Sequence, residues 1–156
     1  ECSNLIVLRT MSKSYGLAGI RVGFAFGPKE LIDYMYRVKL PFEPNILAQK
    51  AAIAALDDSD FIERTIDTNK RNLTKLKEFF SRLGVKHTDG KANFTMIEMK
   101  DGDTASRFAA ESLEQGFVVR PLGMVGLPNC IRINSGTDEQ TDRAIKVFEN
   151  VLAKLK

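Results

Sequence analysis

The longest regular pattern in this chain of 156 residues is a stripe along one side of a predicted helix, between Asp60 and Gly84. Residues suited to an inward face recur there in alternating steps of four and three. The stripe consists of Ile62, Ile66, Asn69, Leu73, Leu76, Phe80 and Leu83. Ser59 or Asp60 can cap this helix, and Gly84 ends it. A helix of about 22 residues is about 33 Å long, so it divides the chain into two parts and can connect them.

The part before the helix contains two short apolar runs, LIVLRT at residues 5–10 and RVGFAFG at residues 21–27. Their length and their β-branched and aromatic residues predict two buried strands. Pro28 suits the first turn of a following helix, and Asn45 can cap an alanine-rich helix after it. Because a sheet of two strands is only marginally stable, we expect sequence upstream of Glu1 to complete this part.

The part after the helix alternates strands and helices. The segment KANFTMIEMK alternates, so Phe94 and Met96 fall on one face of a predicted strand and Ile97 falls on the other. A helix at about residues 103–115 follows, then the strands FVVRPL and CIRINSG with the loop GMVGLPN between them. Thr137 and Gln140, in TDEQ at residues 137–140, predict a capping box for the last helix. This order predicts a small α+β unit with its helices on one face of a sheet.

Composition and charge exclude several classes of function. The net charge is +3 and the charged residues of both signs are interspersed, which argues against a nucleic-acid surface. Cys2 and Cys130 are far apart and His87, predicted as a surface residue, is the single histidine, so neither a common zinc site nor a disulfide framework is expected. No apolar run approaches the ~18 residues of a membrane span. We expect a cytoplasmic protein with no nucleic-acid, membrane or metal partner.

The turn between the first two predicted strands, RTMSKSYGLAGIRVG at residues 9–23, concentrates reactive groups. Thr10 and Ser12 supply hydroxyls, Lys13 supplies a primary amine, and Arg21 supplies a guanidinium that can bind a phosphate with two hydrogen bonds. A lysine amine taken out of water can form a Schiff base. An amine beside a phosphate-binding group suits pyridoxal 5′-phosphate, an aldehyde that carries its own phosphate. The alternative is a solvated loop; the nucleotide-binding pattern GxxxxGKS/T is absent from the sequence.

Two arginines in the last part of the chain are further candidates. In CIRINSG, Ile131 and Ile133 alternate with Arg132, which sends the arginine to the face opposite the core. Arg132 can bind an anion there or be a solvated surface charge. Arg120 in VVRPL fits either an anion contact or an arginine at a strand end whose charged group reaches water. Tyr15, in the turn described above, can line a cavity or pack the turn.

Four segments, in this order, resemble the fold-type I, pyridoxal-phosphate-dependent aminotransferases of class I/II. They are SKSYGLAGIRVGFAFG, LPFEPNILAQKAA, KANFTMIEM and VVRPLGMVGLPNCIRINSGT, and they span essentially the whole chain. Within this family they are most similar to the histidinol-phosphate aminotransferase branch. The resemblance implies an α/β fold and a C-terminal fragment of it. Residues 1–56 would end the large cofactor domain, residues 57–84 would form a long connector helix, and residues 85–156 would form a small C-terminal α+β domain.

The resemblance also implies roles for the residues of the turn. Lys13 would form the internal aldimine with pyridoxal 5′-phosphate and, once released, would move the proton between substrate and cofactor. Arg21, Thr10 and Ser12 would hold the cofactor phosphate. The other cofactor contacts of the family lie upstream of the equivalent of Glu1, so we expect this chain alone to be inactive.

For the substrate, the resemblance implies that Arg132 and Arg120 bind its anionic groups. The implied reaction moves an amino group between an amino acid or a histidinol-phosphate-like amino phosphate and 2-oxoglutarate, in a homodimer. Two alternatives remain open. One is decarboxylation of an amino-acid phosphate on the same scaffold, and the other is a catalytically silent fragment.

Overall fold

The computed structural model describes residues 3–155, so Cys2 lies outside the described residues. The chain forms two compact units, and the boundary between them falls between Ile66 and Asp67, inside the longest helix. The elements, in chain order, are β1 (Val7–Thr10), β2 (Gly23–Phe26), α1 (Lys29–Val38), α2 (Ile46–Asp57), α3 (Ser59–Arg82), β3 (Lys86–His87), β4 (Phe94–Glu98), α4 (Gly102–Glu114), β5 (Arg120–Leu122), β6 (Leu127–Asn134) and α5 (Asp138–Lys154). Two short 3₁₀ turns, Ala18–Ile20 and Gly123–Val125, precede β2 and β6.

In the first unit, β1 and β2 pair in an antiparallel hairpin. The two strands are confirmed, but the prediction that they are buried is wrong for the described chain: Val7 is 44% exposed and Leu8 is 70% exposed. The reason is that these two strands form a two-stranded sheet, which does not supply the cover that their apolar side chains need. The predicted cap of α2 is confirmed, since the Asn45 side chain accepts a hydrogen bond from the Ala48 N–H at 2.9 Å.

The long helix α3 is confirmed and has 24 residues. Its cap, however, is Asp58 rather than Ser59 or Asp60, because the Asp58 carboxylate accepts a hydrogen bond from the N–H of Phe61 at 2.9 Å. Asp58 also ends α2, so a single residue separates the two helices. The buried residues of α3 are Asn72, Leu73, Leu76, Phe79 and Phe80. Of the predicted stripe, Leu73, Leu76 and Phe80 are therefore buried, whereas Ile66 and Leu83, near its two ends, are exposed.

The second unit is a four-stranded antiparallel sheet in the order β3-β4-β6-β5. Alternate residues of the central strands β4 and β6, such as Ile97, Ile131 and Ile133, are buried against helices. The core also contains Leu76, Phe79, Phe80, Met99, Ala105, Phe108, Ala144, Phe148 and Val151. The predicted α+β unit with helices on one sheet face is thus confirmed. The capping box of α5 is confirmed too, with Thr137 and Gln140 reciprocally hydrogen-bonded.

The segment GMVGLPN differs from the sequence-based prediction of a loop. Only its first half is a turn, and β6 begins at Leu127, where Leu127 pairs with Leu122 of β5. The glycine and proline content suggested a longer loop than the tight 3₁₀ connection that forms. Within residues 3–155, no helix is both long and apolar enough to cross a membrane.

Phe148 is the centre of the aromatic core, and this makes its removal a test of the fold. Its ring centroid lies 5.4 Å from that of Phe108, 6.0 Å from Phe117 and 6.3 Å from Phe80. Phe148→Ala leaves a cavity among these rings and should lower the free energy of unfolding by about 3–5 kcal/mol in urea titrations. Leu113→Ala, at a residue that is 59% exposed, is the control and should change it by less than about 0.5 kcal/mol.

Asp138, the first residue of α5, predicts a pH dependence of stability. Hydrogen bonds from Arg71 (3.0 Å) and Asn72 (3.1 Å), with Lys75 at 3.8 Å, hold the pKa of the Asp138 carboxyl below its usual value. A carboxyl with a lowered folded-state pKa stabilises the fold fully above its unfolded-state pKa, and this stabilisation is lost as the pH falls through the folded-state pKa.

Asp138→Asn should therefore lower the melting temperature at pH 7, and the difference from the unmodified protein should shrink as the pH is lowered below about 4. Thermal melts at a series of pH values measure this. Asp103→Asn, which changes an exposed carboxylate in the first turn of α4, is the matched control. A difference for Asp138→Asn that is constant with pH would contradict the assignment.

Candidate functional site

The turn between β1 and β2 is held closed by its own backbone. The Met11 N–H donates to the Val22 carbonyl at 3.2 Å, and the Leu17 N–H donates to the Met11 carbonyl at 3.0 Å. The Met11 side chain is fully buried. Gly16 adopts a positive φ of 70°, and a Cβ at this position would lie 3.3 Å from the ring of Phe61, so glycine suits both the backbone and the space. The turn is therefore an ordered element of the first unit.

All four residues predicted to bind the cofactor lie on this turn or at its start. The Thr10 hydroxyl accepts a hydrogen bond from the Ser12 N–H at 3.1 Å, which leaves the hydroxyl hydrogen of Thr10 able to donate elsewhere. Lys13 is exposed, and its backbone carbonyl accepts a hydrogen bond from the Gly16 N–H at 2.9 Å. The structure thus brings two hydroxyls and a primary amine together on one constrained segment.

Arg21 closes the turn in an unusual backbone conformation. Its φ is 60° and its ψ is 55°, the left-handed region that residues with a side chain rarely adopt. Its guanidinium donates one hydrogen bond, from Nη1 to the Ala18 carbonyl at 2.7 Å. A guanidinium has five N–H donors, so this contact orients the group and leaves donors for a ligand. Strained conformations of this kind are found at ligand-binding turns.

Gly23 is a structural requirement of the site that the sequence motifs alone did not single out. It pairs with Thr10 across the hairpin, and a Cβ on it would lie 2.7 Å from the Arg9 carbonyl oxygen. Real side chains do not come that close, so a residue other than glycine would push the two strands apart directly below the turn. The signal available in the sequence was a glycine inside a strand, which often marks a close backbone approach.

The second group of candidates lies on the sheet of the second unit, on the face opposite the helices. Arg132 of β6 is paired in register with Met96 of β4 on one side and with Arg120 of β5 on the other. Its guanidinium carbon lies 5.1 Å above the centre of the Phe94 ring. Its Nε is buried and has no hydrogen-bond partner within the described residues. The alternative in which Arg132 is an ordinary solvated charge is therefore disfavoured.

This arrangement of Arg132 and Arg120 suits an anion. Two like charges directly opposite each other on neighbouring strands destabilise the pair. A buried N–H donor without a partner carries a further penalty, because it has lost its hydrogen bonds to water. A carboxylate or phosphate between the arginines would remove both penalties, since its oxygens accept charged hydrogen bonds. Arg120 is exposed to solvent, so its guanidinium is accessible to a dissolved anion.

The structure also gives the surroundings of three other residues considered in the sequence, His87, Cys130 and Tyr15. His87 lies at the surface, half-buried, and its Nε2 lies 2.8 Å from the Ser81 hydroxyl oxygen. Cys130 is buried and has a free thiol. Tyr15 is half-buried in the turn. Across residues 3–155 there is no group of three His, Cys, Asp or Glu residues with the geometry of a metal site.

Comparison with known proteins identifies the family. The family model for class I and II aminotransferases matches residues 1–148. The chain belongs to the class I and II aminotransferases. This confirms the resemblance that the four motifs indicated.

Relatives and solved structures agree with this family. The chain is 40% identical over 152 residues to histidinol-phosphate aminotransferase 2 of Ralstonia nicotianae, an alignment that covers 97% of this chain and 41% of that protein. The crystal structure of histidinol-phosphate aminotransferase from Sinorhizobium meliloti in complex with pyridoxal-5′-phosphate matches with a TM-score of 0.91 at 26% identity, over 99% of this chain and 42% of that one. The predicted fold class is thereby confirmed, and the chain spans less than half the length of these proteins.

A solved structure of a different enzyme is also similar. L-threonine-O-3-phosphate decarboxylase from Porphyromonas gingivalis matches with a TM-score of 0.80 at 25% identity, over 97% of this chain and 47% of that one. Aminotransferases and a decarboxylase therefore share the architecture seen here, and the architecture does not by itself select between the two reactions.

The backbone of Arg21 allows a test of the turn that does not depend on any ligand. Arg21→Gly removes the strain of a left-handed residue, whereas Arg21→Ala keeps it, and both remove the guanidinium. Arg21→Gly should therefore be more stable than Arg21→Ala by about 1 kcal/mol in urea unfolding. Equal stabilities, or a more stable alanine variant, would contradict the strained conformation. Lys29→Gly and Lys29→Ala, at the ordinary first position of α1, form the control pair and should show the opposite order.

Proposed function

We propose that the protein containing this chain is a pyridoxal 5′-phosphate-dependent aminotransferase that moves an amino group between an anionic amino donor, of the histidinol-phosphate type, and 2-oxoglutarate. The observation that carries the proposal is the donor set of the turn, in which Lys13, Arg21, Thr10 and Ser12 occupy one closed segment. Membership of the class I and II aminotransferases and 40% identity to a histidinol-phosphate aminotransferase support it.

The residues of the turn fit pyridoxal 5′-phosphate by the chemistry of their donors. When bound, the cofactor supplies an aldehyde that condenses with amines and a ring that accepts the electron pair of a broken bond. Arg21 and the hydroxyls of Thr10 and Ser12 are the groups that would hold its phosphate, because guanidinium and hydroxyl donors match phosphate oxygens. The amine of Lys13 is the nucleophile that would join it covalently.

Lys13 would have a second role as an acid–base group. Its ε-amine, once free, can accept a proton from the α-carbon of the substrate and return it to the neighbouring carbon of the cofactor. The short hydrogen-bonded turn between Lys13 and Gly16 restricts the backbone from which this amine extends. A restricted backbone reduces the conformations that the amine must lose to reach the reacting atoms.

Arg132 and Arg120 would bind the anionic groups of the substrates. The unpartnered Nε of Arg132 and the opposed charges of the two arginines support this role. An amino donor with a phosphate group and 2-oxoglutarate with its two carboxylates would each present an anion to these two arginines. The two residues would act in the same reaction as Lys13, on the substrate rather than on the cofactor.

The remaining features of the whole protein follow from the same proposal. Residues 1–56 would belong to the large cofactor domain, residues 57–84 would form the connector helix, and residues 85–156 would form the small C-terminal domain. The active form would be a homodimer in the cytoplasm, with a small amino donor and a 2-oxo acid as its partners. Residues outside this chain would supply the other cofactor contacts.

Decarboxylation of an amino-acid phosphate is the second candidate, supported by the structural likeness to L-threonine-O-3-phosphate decarboxylase. The two reactions differ in where the proton is delivered. In transamination Lys13 would deliver the proton to the cofactor, and a 2-oxo acid would then be consumed to restore the starting form. In decarboxylation the proton goes to the α-carbon, carbon dioxide is released, and no 2-oxo acid is needed.

The experiment uses the full-length protein that contains this chain, loaded with pyridoxal 5′-phosphate and assayed with histidinol phosphate and 2-oxoglutarate. We expect glutamate to form in step with consumption of the donor. Lys13→Ala should abolish turnover because no other amine occupies its position. Arg132→Ala should raise KM about thirtyfold or more, as expected when one partner of a charged hydrogen-bonded pair is removed.

Lys146→Ala and Arg107→Ala, two exposed residues of α5 and α4, are the matched controls and should leave both constants unchanged. Release of carbon dioxide without any need for 2-oxoglutarate would favour the decarboxylase. Unchanged turnover in Lys13→Ala would overturn both enzymatic candidates at this site.

A further inference from the structure

Asn69 is the one polar residue in the predicted stripe of the long helix, and the sequence alone does not explain why an amide occupies this position. In the structure it lies on α3, half-buried, and it contacts two segments that are far apart in the sequence. Its Nδ2 donates to the Ala92 carbonyl at 3.2 Å, and its Oδ1 accepts from the Ser135 hydroxyl at 2.6 Å. Both functions of the amide are therefore used, one on each segment.

The two segments are the start of β4 and the end of β6. Ala92 comes two residues before Phe94, the first residue of β4, and Ser135 directly follows Asn134, the last residue of β6. The Ser135 N–H also donates to the Asn93 carbonyl at 3.0 Å, which continues the pairing of the strands by one more hydrogen bond. Asn69 thus ties together the ends of the two central strands where they approach α3.

These strand ends carry two residues of the proposed anion site, which consists of Arg132, Arg120 and the Phe94 ring. Phe94 provides the ring on which the Arg132 guanidinium rests, and Arg132 lies two residues before the end of β6. Arg120 carries the same charge directly across the strand pair, and like charges in such a pair repel each other. The contact with the Phe94 ring therefore helps to keep the Arg132 guanidinium in place. The position of this ring depends in turn on the start of β4, which carries Phe94.

We propose that Asn69 is a positioning residue for substrate binding: by clamping Ala92 and Ser135, it fixes Phe94 against Arg132 and so orients the guanidinium toward the substrate anion. This inference rests on the proposed function, because it gives Arg132 the role of anion ligand. Asn69 itself contacts no substrate. Its removal should weaken anion binding more than it weakens catalysis by bound substrate.

Asn72 provides the matched control. It is the same residue type on the same helix, it is buried, and its amide also makes two hydrogen bonds, to the Thr68 carbonyl at 2.9 Å and to Asp138 at 3.1 Å. It does not contact the ends of β4 and β6 through these bonds. Asn72→Ala therefore reports the effect of losing a buried amide from α3 without loss of the clamp.

The test measures steady-state kinetics and thermal stability of the full-length holoenzyme. Asn69→Leu should raise KM for the amino donor about tenfold with kcat changed less than about twofold, the pattern of a misplaced binding group. Asn69→Asp keeps the acceptor for Ser135 but loses the donor to Ala92, so its KM should lie between those of the unmodified enzyme and Asn69→Leu. It replaces Asn69→Leu in the test if that variant does not fold. Asn72→Ala should lower the melting temperature without raising KM.

A second readout does not require turnover. In the Lys13→Ala background, calorimetric titration with 2-oxoglutarate should give a dissociation constant about tenfold weaker when Asn69→Leu is added. Ser135→Ala added to Asn69→Leu should weaken binding little further, because Asn69→Leu has already removed the contact with the Ser135 hydroxyl.

The outcomes separate this inference from the proposed function. If Arg132→Ala raises KM and Asn69→Leu does not, the positioning role is overturned while the role of Arg132 stands. If Asn69→Leu and Asn72→Ala raise KM equally, the effect is a general loss of stability and the inference is again overturned. If Arg132→Ala has no effect on KM, both the anion site and the inference fail.

Discussion

The antiparallel register between β4 and β6 is the constraint on which the second unit depends. It places Ile97 opposite Ile131 and Met96 opposite Arg132. Because side chains alternate along a strand, the first pair enters the helix-covered core and the second pair faces away from it. A shift of one residue would send Arg132 into the aromatic core and bring the isoleucines to the opposite face. The apolar core and the cationic face are therefore set by a single choice of register.

The same register also sets the surroundings of Arg132, which we propose binds the substrate anion. Arg132 is paired with Arg120 on one side, its guanidinium rests on the Phe94 ring, and its buried Nε has no hydrogen-bond partner among residues 3–155. A stable protein rarely leaves a charged donor in this state. In the first unit, Arg21 is also in an unfavourable state, because its backbone is in the left-handed region. One hydrogen bond, to the Ala18 carbonyl, orients its guanidinium. Both strained features are on residues proposed to bind anions.

Much of this arrangement could be predicted from the sequence because it depends on local patterns. The period of α3, the alternation in β4 and the capping box of α5 each rest on neighbouring residues and were confirmed. The position of Asp58 as the cap of α3 was missed because three adjacent polar residues offer similar side chains. The exposure of Val7 and Leu8 was missed because burial depends on what covers a strand, which its own sequence does not contain.

The candidate site was predictable to a different degree. The motif around Lys13 named the candidate cofactor residues, but the strain at Arg21 and the close approach at Gly23 depend on backbone geometry that no composition rule states. The clamp formed by Asn69 depends on contacts to residues 92 and 135, which are remote in sequence. Its only signal was an amide in an otherwise apolar stripe.

We propose that the turn between β1 and β2 holds the cofactor through Lys13. Borohydride reduction of the full-length holoenzyme, followed by peptide mass mapping, tests it most directly, because reduction makes a bond between an aldehyde and an amine permanent. We expect a single pyridoxyl adduct, on Lys13. An adduct on another lysine, or none with cofactor demonstrably bound, would contradict it.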